Sequence, residues 1–163
     1  MKKMNMIKTV FDYIHYILAN FAKVLIILMT VLISIQVFCR YVLGFSIVWS
    51  EEIALLMMVW FGFISLAIGV QKKLHISIEF FMRFFPSKWE KVIIKFGDSV
   101  VLFFGIIMFI YGIKLVKYGM LSTLPATGLP NGGLYGVLIV SALLIIYDSF
   151  SNLLGLKKIG EEN

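Results

Sequence analysis

The sequence predicts an all-α membrane protein with four transmembrane helices, both termini cytoplasmic (N-in/C-in). It also predicts a cytoplasmic-side interfacial amphipathic helix between spans 2 and 3. Three observations carry this. The 163 residues are 61% hydrophobic and their mean hydropathy is +0.98, far above that of a soluble domain. Four apolar runs each approach the roughly 20 residues that cross a hydrocarbon core. Basic residues gather between alternate runs, which is the positive-inside pattern. The net charge of +6 is therefore a topological signal facing membrane lipids, and no nucleic-acid partner is expected. The single cysteine, Cys39, excludes an internal disulfide.

Taken in order, the chain reads as a single integral membrane domain over 1–163. Met1-Lys2-Lys3 opens like a signal-peptide n-region, but no small-residue cleavage site follows, so an uncleaved anchor is expected. Residues 5–20 are amphipathic, with Ile7, Val10, Phe11, Ile14, Ile17 and Leu18 at helical spacing. Two readings fit them: an interfacial helix lying on the membrane, or the wet extension of the first span. Span one covers about 21–39 and span two about 53–70. Gly62, Ser65 and Gly69 lie near one face of span two, where small residues allow close helix approach. Residues 76–85 are amphipathic and too short to span, so they should lie flat at the interface until Pro86 stops them. Ser87-Lys88-Trp89-Glu90 has the form of a capping box. It starts a long helix that contains span three, about 97–117, with Gly97, Gly105 and Gly112 near a heptad interval. A loop with Pro125, Gly128 and Pro130 has the residues of fixed turns. Span four covers about 134–154.

Orientation follows from the lysines and arginines. Lys2, Lys3, Lys8, Lys23, Lys72, Lys73, Arg83, Lys88, Lys91, Lys157 and Lys158 mark one side, against Arg40, Lys114 and Lys117 on the other. The richer side is the cytoplasmic one.

The hinge between the first two spans runs from Phe38 to Glu52. Gly44 suits the left-handed residue that closes a helix, and Ser50 suits the cap of the next. A connection of about five residues makes antiparallel neighbours. Arg40 and the pair Glu51 and Glu52 then meet at one membrane face, with Tyr41 and Trp49 at interfacial depth. Two readings fit the glutamates. They compensate the helix dipole and pair with Arg40, or they offer an anionic contact to a partner. His75 similarly suits a hydrogen bond at the end of span two, or a group titrating near neutral pH.

No nucleophile-base-acid set, phosphate loop or metal spacing occurs, so no catalytic, cofactor or metal residue is assigned. No carboxylate lies mid-span, where a self-contained proton exchanger would need one. Asp98 and Asp148 fall near the cytoplasmic ends and suit structural ion pairs with Lys95, Lys72, Lys73 and Lys23. Two self-standing readings are a small four-helix multidrug/proton exporter acting as a homodimer, which the missing mid-span carboxylate disfavours, and a membrane anchor for a redox enzyme. The positions of His15 and His75 disfavour the latter.

Together, Arg40-Tyr41, Trp49-Ser50-Glu51-Glu52, Lys73 with His75-Ile76, and Leu124-Pro125-Ala126-Thr127-Gly128-Leu129-Pro130 resemble the small membrane subunit of TRAP (tripartite ATP-independent periplasmic) transporters. The resemblance covers nearly the whole chain. It implies a non-enzymatic scaffold in the bacterial inner membrane, without a cofactor of its own. It implies a large TRAP membrane subunit as stable partner, carrying the substrate and sodium sites. A periplasmic substrate-binding protein would be the transient partner and would deliver a C4-dicarboxylate, sialic acid or similar carboxylate. The resemblance also marks Arg40, Tyr41, Trp49, Glu51, Glu52, His75, Pro125, Gly128 and Pro130 as interface candidates.

Overall fold

The structure, a computed structural model, describes residues 2–72 and 87–154. Among these are four helices: α1 (Lys2–Val42), α2 (Val48–Gln71), α3 (Ser87–Gly119) and α4 (Asn131–Leu153). All four are long and apolar enough to cross a membrane. The only β feature among the described residues is an isolated bridge between Thr123 and Pro130. The expected flat helix over 76–85, together with Lys73 and His75, lies outside the described residues.

The N-terminal amphipathic stretch is not a separate element. α1 continues through it without a break for 41 residues, about 60 Å of helix. That is roughly twice the hydrocarbon thickness. α3, at 33 residues, reaches about 50 Å. α1 ends as its sequence predicts. Gly44 takes φ +73°, and the Leu43 and Phe45 amides both turn back to donate to the Cys39 carbonyl, at 3.1 and 3.3 Å.

Ser50 does not cap α2. The helix begins three residues earlier than the cap position requires, and Ile47 occupies that position without a side-chain bond. Ser50 sits one turn inside, buried, with its hydroxyl donating to the Ile47 carbonyl at 2.6 Å. The run Ile47-Val48-Trp49 is apolar enough to enter the helix, so the first polar residue was a poor marker of its start.

α1 pairs with α2, α2 with α4, and α4 with α3. α4 is the most buried element. Its Ala142, Leu144 and Ile145 join Ala67 and Val70 of α2 and Met108 of α3 in one core cluster. A second cluster joins Ala22 and Leu25 of α1 to Ile64 of α2 and Val137 of α4. Lipid tails give apolar helices no hydrophobic reason to associate, so close backbone approach has to supply the packing. The α3–α4 seam shows this. A Cβ placed on Gly105 would meet Ile145 and Ile146 side chains at 3.1 Å, and one on Gly112 would meet Leu138 at 3.3 Å. One heptad further, a Cβ on Gly119 would meet the Gly132 backbone nitrogen at 2.8 Å. The small face of α2 behaves differently: Gly62 and Gly69 have nothing within 4 Å of a Cβ.

Candidate functional site

The short α1–α2 connection and the α3–α4 loop lie at the same end of the bundle, and the two glutamates there hold different things. Glu51 lies in the first turn of α2. One of its oxygens accepts from Gln36 Nε2 of α1 at 2.8 Å. Gln36 is buried, and an unpaired amide at that depth would be costly. The bond therefore satisfies Gln36 and joins the helices across the hinge.

Glu52, half-buried one residue on, reaches across to the α3–α4 loop. Its Oε1 accepts from the Ala126 amide at 2.8 Å. Its Oε2 accepts from the Thr127 amide at 2.8 Å and from the Thr127 hydroxyl at 2.7 Å. Two adjacent backbone N–H groups and a hydroxyl converging on a carboxylate form a small anion seat, here filled by the protein's own side chain. Bonds to an ionised acceptor are the stronger kind.

The loop is built to present that seat. The Leu124 amide donates to the Leu129 carbonyl at 2.8 Å, and the Gly128 amide to the Leu124 carbonyl at 2.9 Å. Gly128 takes φ +70°, a conformation that costs other residues strain. At the loop base, Asn131 bonds Ser122 twice: its amide reaches the Ser122 carbonyl at 3.0 Å and its side chain the Ser122 hydroxyl at 2.9 Å. A third tie comes from α2, where Trp60 Nε1 donates to the Gly133 carbonyl at 3.0 Å.

The expected pairing of Arg40 with the glutamates does not form. Both carboxylates have nearer partners on uncharged groups, and Arg40 is exposed. Tyr41 and Trp49 are exposed as well, as are Pro125 and Pro130 at the loop. This end thus offers an aromatic and basic rim around a pinned loop. Sequence reasoning named Glu52, Pro125, Gly128 and Pro130 but did not join them. It missed Gln36–Glu51 as a pair, Thr127 as the hydroxyl donor, and Trp60–Gly133.

The opposite end carries a second polar contact. His15 and Asp148 are 2% and 3% exposed. His15 Nε2 lies 2.9 Å from Asp148 Oδ2. Its Nδ1 lies 2.8 Å from the Phe11 carbonyl, which only accepts, so that nitrogen carries a hydrogen. Phe11 stacks on Tyr147 with ring centroids 3.5 Å apart. Asp148 was expected to pair with a lysine; the structure brings a histidine of α1 to it. Asp98 is buried, Lys72 and Lys95 are exposed, and Lys23 lies 3.4 Å from the Asn20 side-chain oxygen.

Among the described residues no group of three or more His, Cys, Asp or Glu side chains could hold a metal. The site fixes the arrangement of helices and a loop.

Comparison with known proteins agrees with that reading. Residues 29–157 match the family described as tripartite ATP-independent periplasmic transporters, DctQ component. A sialic acid TRAP transporter permease protein, SiaT, of Haemophilus influenzae is 28% identical over 113 residues, which is 69% of this chain and 18% of that protein. The chain thus spans under a fifth of that relative. Another Haemophilus influenzae protein, provisionally named a TRAP transporter small permease protein, is 21% identical over 141 residues, 86% of this chain and 87% of that one. With four membrane-crossing helices and a family match over most of its length, the chain is a multi-pass transporter component rather than an enzyme, and it belongs to the DctQ-component family of tripartite ATP-independent periplasmic transporters.

Proposed function

We propose that this chain is the non-catalytic small subunit that braces a large transport subunit in the bacterial inner membrane. In this reading it also helps a periplasmic substrate-binding protein to dock during sodium-coupled import of an organic acid. The family match over residues 29–157 carries the reading. The geometry supports it: hydrogen bonds tie the helices and loop to one another, and broad apolar faces of α1 and α3 remain exposed. Such faces suit lipid and a membrane partner. The uneven distribution of lysines supports cytoplasmic termini, which would turn the pinned loop outward, toward a binding protein. Similarity to a sialic acid permease supports sialic acid as the first substrate to test, with C4-dicarboxylates next. The substrate and sodium sites then belong to the large subunit.

The test is co-expression with a large TRAP permease subunit from the same organism, followed by purification through a tag on this chain. A stable complex is expected, and sodium-driven uptake in vesicles should require both subunits and the binding protein. A chain that never captures the co-expressed large subunit, or that accumulates solute unaided, would overturn the proposal.

A further inference from the structure

The outward face of α3 ends in a feature that the bundle leaves uncovered. The inward face is committed to α4 through Gly105, Gly112 and Gly119. On the opposite side, at helical spacing, lie Phe103, Ile107, Ile110 and then Lys114 and Tyr118, with Tyr111 on the flank, all exposed. Tyr111 is 58% exposed and Tyr118 69%. Lys114 is five residues short of the helix end at Gly119, about 7–8 Å along the axis. Its ammonium stands 5.1 Å from the centre of the Tyr111 ring. Lys117 lies within one turn and is also exposed. Among the described residues, no carboxylate forms an ion pair with either lysine.

A cation on an apolar helix face, just below the helix end, lies where the hydrocarbon gives way to headgroups. There a lysine reaches toward the polar layer along its own stem. Aromatic side chains with polar tips prefer the same depth. We propose that Lys114, Lys117, Tyr111 and Tyr118 form a binding site for the headgroup of an anionic phospholipid, whose acyl chain lies along Phe103 and Ile107. The phosphodiester accepts from the two ammonium groups and the Tyr118 hydroxyl. The apolar stripe beneath supplies the chain contact. The charge complementarity selects an anionic lipid over a zwitterionic one, whose own cation competes for the phosphate. The inference requires only that α3 crosses the membrane, so it stands or falls separately from the transport reading.

The test is native mass spectrometry of the purified full-length chain, delipidated in detergent and titrated with phosphatidylglycerol or phosphatidylcholine. Preferential retention of phosphatidylglycerol is expected. Lys114→Gln with Lys117→Gln should lower that preference by roughly fivefold per lysine removed, while Lys114→Arg with Lys117→Arg should keep it. Both substitutions are at exposed positions, and helical content by circular dichroism checks that each variant is folded. Equal retention of the two lipids by the parent chain would overturn the proposal. So would an unchanged preference in the glutamine variant. A glutamine variant that keeps its lipid preference but no longer captures the large subunit would assign this face to a protein partner instead.

Discussion

Glu52 spends both carboxylate oxygens on one turn of a loop more than seventy residues away in sequence. That arrangement makes its removal a local event. Glu52→Gln removes the charge and sets an amide N–H₂ against the loop N–H donors. Faster hydrogen exchange is expected at Ala126 and Thr127 and not in the α3–α4 core. Unchanged exchange there would mean the loop holds its shape unaided. Thr127→Val keeps the shape of the side chain but deletes the hydroxyl that donates to Glu52. It should cost about 1 kcal/mol, read as a lower midpoint in thermal unfolding of the purified chain. Little of this was legible beforehand. The two glutamates at a helix start, and a proline- and glycine-rich loop, can each be read locally. Their meeting depends on how α2 packs against α4, and no local spacing encodes that. Gly44 was legible because a single residue's backbone preference decides the turn.

Elements separate into those that meet within the chain and those that do not, and glycine reports the difference. Gly119→Ala would drive a methyl into the Gly132 backbone at 2.8–3.0 Å. Backbone cannot rotate away, so destabilisation of about 1–3 kcal/mol is expected. Gly62→Ala meets nothing and should leave the isolated chain's unfolding unchanged or slightly improved, because alanine is the better helix former. Equal effects of the two would show that the α3–α4 seam is looser than drawn. Gly105 and Gly112 of α3 were legible as a contact face from their spacing alone, whereas Gly119 read as part of the following loop. For the small residues of α2 the spacing gave the same signal, yet Gly62 and Gly69 have no mate among the described residues: periodicity shows which residues share a face and not what stands opposite. The continuity of α1 was likewise undecided by sequence, because an amphipathic helix on a membrane and the wet end of a spanning helix have the same pattern. Residues 5–20 could be placed only by packing: Phe11, Ile14 and Leu18 lie against the shared core cluster, and Phe11 stacks on Tyr147 of α4.

For the molecule as a whole, first and last helices are held at one end by His15 and Asp148, while the hinge and loop are held at the other by Glu51 and Glu52. The pair at His15 involves α1 residues that precede the family match beginning at residue 29. Removing one member of a buried polar pair takes a close partner from the other and costs more than the pair itself contributes. His15→Ala should therefore destabilise the chain by roughly 3 kcal/mol. The double change to His15→Leu with Asp148→Leu should recover much of that loss. If the single and double variants melt alike, the contact contributes nothing specific. The hydropathy pattern made the four spans and their order plain, but this closure was hidden. His15 looked like one more polar residue on a wet segment until α4 was beside it. The mooring decides how a push on the loop would travel. The loop tip is moored to α2 by a carboxylate, and the start of α4 is moored to the same helix by the Trp60 indole. A body settling on Pro125 therefore cannot flex the tip by itself. It must carry the second and fourth rods along, so a push at the loop end of the bundle would reach the opposite end as a rigid-body movement.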